Sequence, residues 1–123
     1  MWCSFFFCSC GRGAGETFLF SLNRDNVSCY RWVGSDCPEA GSVSAAPGSE
    51  AEKIRDAASF FVYCGRSELA VGGGRAGYGL WLNGDLTEAT STRCATFDNA
   101  PLGGPGTDGV DQQVHVIELW AFT

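Results

Sequence analysis

The sequence has few basic residues. It contains 14 acidic residues and only eight basic ones, of which Lys53 alone is lysine, so the net charge is −6. The seven arginines are scattered along the chain and form no cluster. Because clustered Lys and Arg side chains are needed to bind phosphate backbones, this balance argues against a nucleic-acid partner. It equally argues against a polybasic tether to a membrane surface.

Metal-binding and catalytic patterns are also scarce. There is one histidine, His115, and no Cys-x-x-Cys pair, and the spacing of Cys8-Ser9-Cys10 is too tight for a zinc finger. The acidic residues Asp85, Asp98, Asp108 and Asp111 lie in loop-like sequence, where turn and capping roles are expected. We expect His115 to be a hydrogen-bonded structural residue. The sequence therefore predicts no catalytic residues, no metal site and no cofactor.

One glycine-rich segment formally matches a dinucleotide-binding fingerprint. Residues 72–77 read Gly-Gly-Gly-Arg-Ala-Gly, which satisfies G-x-G-x-x-G. That fingerprint requires a following helix, because the pyrophosphate binds at the helix N-terminus. Here Tyr78-Gly79-Leu80-Trp81-Leu82 follows, which is typical of a strand. We interpret the segment as a turn in which another backbone approaches closely.

The cysteines do not form an obvious disulfide set. Their number is odd, at positions Cys3, Cys8, Cys10, Cys29, Cys37, Cys64 and Cys94. An odd set favours a reducing compartment, in which the Asn26-Val27-Ser28 glycosylation sequon is silent. We expect Cys29 and Cys64, which lie in strand-like sequence, to be small buried apolar residues.

The chain suits one domain, since 123 residues fall within the usual range of about 100–150. Its first ten residues lack a signal peptide's basic region and are too short to cross a membrane. Their cysteines offer only weak support for palmitoylation. We favour the interpretation that this segment is a non-native start.

The first half of the chain predicts one β-hairpin and one insertion. Residues 17–22 alternate, with Phe18, Phe20 and Leu22 on one face, and a four-residue turn joins them to the β-rich run 27–33. The next stretch, residues 34–58, is rich in Gly, Ser, Pro and Ala, which is typical of a surface insertion. Its last nine residues, 50–58, have the pattern of a short capped helix.

The second half predicts further strands. Ser59–Cys64 and Glu68–Val71 flank a turn at 65–67. Asn83-Gly84 predicts a two-residue hairpin, since both central residues tolerate positive φ. The glycines and prolines of residues 99–110 predict irregular structure.

The end of the chain predicts a buried strand. Residues 112–122 carry apolar side chains in both alternating positions, including Val114, Val116, Ile117 and Leu119. A strand that is apolar on both faces lies between two layers. The sequence therefore predicts two packed sheets, with residues 112–122 between them.

The order of these motifs resembles the TLDc domain family. The motifs follow the same order as in the family. They are Gly-Glu-x-Phe-x-Phe near the start, the glycine turn, the hairpin, Cys-x-Thr-Phe-x-Asn and a terminal Glu-x-Trp-x-Phe. The positions that carry the resemblance are Gly15, Glu16, Phe18, Phe20, Gly72, Gly73, Gly74, Asp85, Cys94, Thr96, Phe97, Asn99, Glu118 and Trp120. We expect most of these signature positions to serve the fold.

The resemblance implies a fold and a function. The expected fold is β-rich (α+β), a sandwich of two antiparallel sheets with one or two short peripheral helices. The expected function is that of a non-catalytic protein-interaction domain linked to oxidative-stress resistance and regulation of the vacuolar proton pump. A pump subunit would be the partner, and the protein would be cytoplasmic, reaching endolysosomal or vesicle membranes through that partner.

The resemblance extends over residues 13–123, and residues 1–12 form a non-family segment. We expect the domain to lack its N-terminal part and to be less stable than a complete one. The insertion is most similar to that of family members fused to a Rab-GAP-like domain. Two alternatives stay open: direct oxidant scavenging by cysteines, and a truncated product with no independent function.

Overall fold

The protein is built from two antiparallel β-sheets. The computed structural model describes residues 2–6, 17–23, 26–34, 47–49 and 59–118, and within these ranges there is no α-helix. The strands are β1 (Trp2–Phe6), β2 (Phe18–Asn23), β3 (Asn26–Arg31), β4 (Val62–Cys64), β5 (Glu68–Val71), β6 (Leu80–Asn83), β7 (Glu88–Thr90) and β8 (Gln112–Gln113). Strands β1–β3 form one sheet and β4–β8 the other, each in chain order. The predicted β-rich class is confirmed.

The first sheet contains the predicted hairpin and an additional strand. Strands β2 and β3 pair from Phe18 opposite Arg31 to Asn23 opposite Asn26. The loop therefore spans two residues and not the four predicted. On the other side of β2, β1 pairs in antiparallel register, in a segment to which the sequence analysis assigned no strand.

The second sheet is a five-stranded meander. Strands β4 and β5 are joined by the predicted tight turn, in which the Gly65 N–H donates to the Glu68 carbonyl at 2.8 Å. Strand β4 is shorter than expected, since it begins at Val62 and not at Ser59. The segment after β5 leads directly into strand β6. The dinucleotide fingerprint therefore lacks the helix that it requires.

The β6–β7 hairpin was predicted correctly, but its turn was not. Gly84 does not have positive φ, and residue Leu86 does, at 58°. The Leu86 N–H donates to the Asn83 carbonyl at 3.0 Å, and the loop runs from Gly84 to Thr87. The reason is the Asn83 side chain, whose Oδ1 accepts hydrogen bonds from the N–H groups of Thr87 at 2.9 Å and Glu88 at 3.1 Å. These bonds stabilise a longer turn.

The core lies between the two sheets. Leu19 of β2 packs in one buried cluster with Val71 and Leu80 of the second sheet, and with Phe97 from the loop after β7. Leu19 is fully buried, whereas the Phe18 and Phe20 side chains on the opposite face of β2 are half-buried, with ring centroids 6.0 Å apart. The second sheet thus covers the face of β2 that carries fewer aromatic residues.

The predicted buried strand at residues 112–122 was wrong over the part that the structure describes. Strand β8 contains only Gln112–Gln113, and Val116 and Ile117 are 65% and 48% exposed. Because β8 runs antiparallel to β7, the residues after Gln113 face the hairpin turn and no longer face a strand. Just beyond β8, the Val114 N–H donates a hydrogen bond to the Thr87 carbonyl at 2.8 Å.

His115 was expected in the same terminal strand, as a hydrogen-bonded structural residue. Its side chain is exposed and lies beyond the end of β8. The predicted helix at 50–58 and most of the insertion at 34–58 lie outside the described residues. None of the residues that the structure describes forms a helix with the length and apolar character required to cross a bilayer.

Candidate functional site

Seven signature residues meet in one buried cluster beside the second sheet. Its members come from the glycine turn after β5 and from the turn after β7; they are Gly72, Gly73, Gly74, Cys94, Thr96, Phe97 and Asn99. We call this set the signature cluster. The second turn closes on itself, because the Asp98 N–H donates to the Cys94 carbonyl at 2.9 Å. Cys94, Thr96, Phe97 and Asn99 are all buried.

The glycines allow the two turns to touch. A Cβ at Gly74 would lie 2.6 Å from the Ala95 backbone nitrogen, closer than real side chains approach. A Cβ at Gly72, where φ is +71°, would lie 2.7 Å from Cys94 Sγ. The predicted close backbone approach is therefore confirmed. Gly79, which the sequence analysis did not single out, has the same role, since its Cβ would lie 2.6 Å from Leu19 Cδ1.

Thr96 connects three segments through hydrogen bonds. Its hydroxyl accepts from the Gly73 N–H at 2.9 Å and donates to the Phe60 carbonyl at 2.9 Å. Its carbonyl accepts from the Val33 N–H at 3.1 Å, which ties the cluster to the segment after β3. One buried threonine thus links the glycine turn, the start of the second sheet and the end of the first hairpin.

Asn99 satisfies all of its hydrogen-bonding groups inside the cluster. Its Oδ1 accepts from the Cys94 thiol at 3.0 Å and from the Cys94 N–H at 3.3 Å. Its amide donates to the carbonyls of Thr92 at 2.8 Å and Ala100 at 3.1 Å. Because a buried amide without partners is costly, this arrangement requires asparagine at the position.

Ser91 completes the connection at the edge of the cluster. Its hydroxyl donates to the Gly79 carbonyl at 2.5 Å and accepts from the Leu102 N–H at 3.0 Å. The sequence analysis assigned no role to this serine. A small polar residue between the end of a strand and a proline-rich loop is the signal that could have found it.

The signature cluster is suited to holding loops and not to presenting a reactive group. The Cys94 thiol is buried and hydrogen-bonded, so oxidants in solvent have no direct access to it. The charged groups nearby, Arg93 and Asp98, form an ion pair at the surface. Among the described residues, no three His, Cys, Asp or Glu side chains are arranged to hold a metal ion.

The remaining signature positions lie apart from this cluster. Asp85 is exposed in the β6–β7 turn, and Glu118 is exposed beyond β8. Phe18 and Phe20 lie on the face of β2 that points away from the core. Gly15, Glu16 and Trp120 lie outside the described residues.

The expectation that Cys29 and Cys64 are buried was wrong. Both are free thiols and both are exposed. Cys29 is opposite Phe20 on the outer face of the first sheet, and Cys64 is the last residue of β4. Alternation in a strand does not by itself decide which face is covered.

The fold and the buried motif can be compared with known proteins. The sequence model of the TLDc domain matches residues 8–123. The chain belongs to the TLDc domain family. Within this TLDc chain, the match includes every strand from β2 to β8 and the whole signature cluster.

Relatives of this TLDc chain include oxidation resistance proteins. It is 44% identical over 64 residues to oxidation resistance protein 1 of Schizosaccharomyces pombe, covering 52% of this chain and 34% of that protein. It is 33% identical over 113 residues to oxidation resistance protein 1 of Xenopus tropicalis, covering 92% of this chain and 10% of that protein. Nuclear receptor coactivator 7 of Mus musculus is 30% identical over 110 residues, covering 89% of this chain and 9% of that protein. The chain thus spans about a third or less of these proteins.

Proposed function

We propose that this TLDc chain is a protein-interaction domain that acts in resistance to oxidative stress. The observation that carries the proposal is its similarity, over 92% of its length, to an oxidation resistance protein. In finer terms, the partner is a subunit of the vacuolar proton pump, which the domain regulates without catalysing a reaction. The protein is then cytoplasmic and reaches endolysosomal or vesicle membranes through that subunit.

The distribution of residues between core and surface supports a binding role. The polar groups of Thr96 and Asn99 are buried and used in hydrogen bonds that hold loops together. Large apolar side chains are meanwhile exposed, Val116 and Val110 among them. Where such side chains lie together, as the adjacent Val116 and Ile117 do, they are typical of surfaces that bind other proteins.

Direct oxidant scavenging is a second candidate, because Cys29 and Cys64 are exposed. In this chemistry a thiolate attacks one oxygen of hydrogen peroxide and the O–O bond breaks, which gives a sulfenic acid and a hydroxide ion that takes up a proton from solvent to form water. A cellular thiol would then reduce the sulfenic acid through a mixed disulfide. Cys94 would take no part while the domain is folded.

One complementation experiment distinguishes the two candidates. Fission yeast cells that lack their own oxidation resistance protein would express the chain, and survival after hydrogen peroxide treatment would be measured. We expect the wild-type chain to restore survival, and a double Cys29→Ser, Cys64→Ser variant to restore it equally. Survival lost with the double variant would favour scavenging. A wild-type chain that restores nothing would overturn both candidates.

Affinity capture tests the partner directly. The chain purified from these cells would be analysed for proton-pump subunits by mass spectrometry. The control is Phe97→Ala, which removes a buried core side chain and should destabilise the domain. Recovery of a pump subunit with the wild-type chain alone is the expected result. Capture that never recovers a pump subunit would contradict the finer proposal.

A further inference from the structure

The segment after β8 has the composition of a strand, but none of the described strands pairs with it. Val114, Val116 and Ile117 are β-branched, and such residues favour pleated, half-buried surfaces. Among the described residues, however, no strand pairs with the chain beyond Gln113. Conflict between local preference and tertiary structure is expected where a protein binds something.

This segment also continues an open sheet edge. Strand β8 is the last strand of the five-stranded sheet, and its outer side faces no other described strand. An edge strand presents backbone N–H and C=O groups to which a further strand can be added. The exposed Val116 and Ile117 side chains follow this edge directly, so backbone pairing and apolar contact are available together.

The formally charged residues that lie near the edge in the sequence are acidic, and residues 112–117 themselves contain one histidine, His115. After Arg93 the chain contains no Lys or Arg. Glu88 lies directly opposite Gln113 of β8, and Asp108 and Asp111 are exposed just before it. The ion pair that the described residues form, between Arg93 and Asp98, involves none of these three carboxylates. They are available to attract cationic side chains of a partner.

We propose that residues 112–117, the edge segment, bind an extended strand of a partner protein in which Lys or Arg side chains alternate with apolar ones. Consecutive residues of an extended segment point to opposite faces, so the apolar side chains contact Val116 on one face and the cationic ones face the carboxylates Glu88, Asp108 and Asp111. The inference rests on the proposed interaction function and specifies its surface. A second copy of this chain is disfavoured because its net charge is −6 and the carboxylates around the two edges repel.

A pair of peptides tests the charge requirement. One fluorescein-labelled peptide of about nine residues, a typical strand length, alternates Lys with Val, and the other replaces every Lys with Glu. Binding is followed by fluorescence anisotropy, and amide hydrogen exchange locates the peptide on the chain. We expect the Lys peptide to bind at least about tenfold more tightly than the Glu peptide, and to slow exchange at residues 112–117.

Matched surface variants test the location. Val116→Lys changes a residue of the edge segment that is 65% exposed, whereas Val27→Lys makes the same substitution at a residue that is 70% exposed on the other sheet. We expect the first variant to lose at least about tenfold in affinity for the Lys peptide, and Val27→Lys to bind as the wild type does. Thermal melts would show that both variants remain folded.

Four results would overturn the proposal. The first two are equal affinity of the chain for the Lys and Glu peptides, and an equal loss of affinity for the Lys peptide in the two variants. The third is slow amide exchange at residues 112–117 before any peptide is added. The fourth is dimerisation of the chain without peptide that increases with its concentration. The peroxide survival assay separates this proposal from the general function. If the edge variant loses peptide binding but protects cells fully, the edge segment is not the functional surface, and the role in oxidative stress stands.

Discussion

Single residues decide how closely the two turns of the signature cluster approach. Gly74 leaves no room for a Cβ beside the Ala95 nitrogen, and Asn99 supplies the donors and acceptors that four neighbouring polar groups require. The sequence motif identified these positions but did not show why these residue types are needed there. The reasons are contacts between segments that are about twenty residues apart, such as the Thr96 hydroxyl and Gly73.

Thr96→Val should destabilise the protein by about 2 kcal/mol. Valine has nearly the same shape, but it leaves the buried Gly73 N–H without its hydroxyl acceptor and the Phe60 carbonyl without its donor. Urea denaturation of both proteins would measure the difference. Thr96→Ser keeps the hydroxyl and loses one methyl group, so it should cost only about 1 kcal/mol. Equal losses in the two variants would show that the hydroxyl does not matter.

Strands and turns form where the local sequence predicts them when the strands that pair are neighbours in the chain. The β4–β5 hairpin forms at the predicted place, and the β6–β7 hairpin forms around Asn83-Gly84. The turn type differs because the Asn83 side chain accepts two backbone hydrogen bonds and so stabilises a longer loop. That loop places Leu86 in the left-handed region.

Leu86→Gly should stabilise the β6–β7 hairpin. The left-handed conformation costs a non-glycine residue about 1–2 kcal/mol, and glycine removes this strain while losing some backbone entropy on folding. We expect a net gain of about 0.5 kcal/mol in the free energy of unfolding. Asp85→Gly, at the neighbouring exposed position without positive φ, should lower stability instead. A destabilised Leu86→Gly protein in urea denaturation would contradict this account.

At the scale of the whole molecule, the contact between the two sheets decides stability. Leu19 is the residue of the first sheet in the buried core cluster, where it meets Val71 and Leu80 of the second. On the opposite face of the same strand, Leu22 is 42% exposed. The two leucines therefore differ in what they connect, although both belong to one strand.

Leu19→Ala should cost about 3 kcal/mol, because it opens a cavity between the sheets. Leu22→Ala should cost about 1 kcal/mol or less, since much of that side chain is already in water. Thermal or urea unfolding of the two variants would measure both values. A smaller effect at Leu19 than at Leu22 would mean that the sheets do not share a core through this residue.

Local sequence patterns were enough to predict most of the strand segments, the place of the glycine turn and the motif positions of the family. Which face of β2 is covered, the exposure of Cys29 and Cys64, and the departure of residues 114–118 from the sheet depend on contacts between distant segments. Alternation shows which side chains share a face of a strand. Whether that face is buried depends on where the other sheet lies and where its strands end.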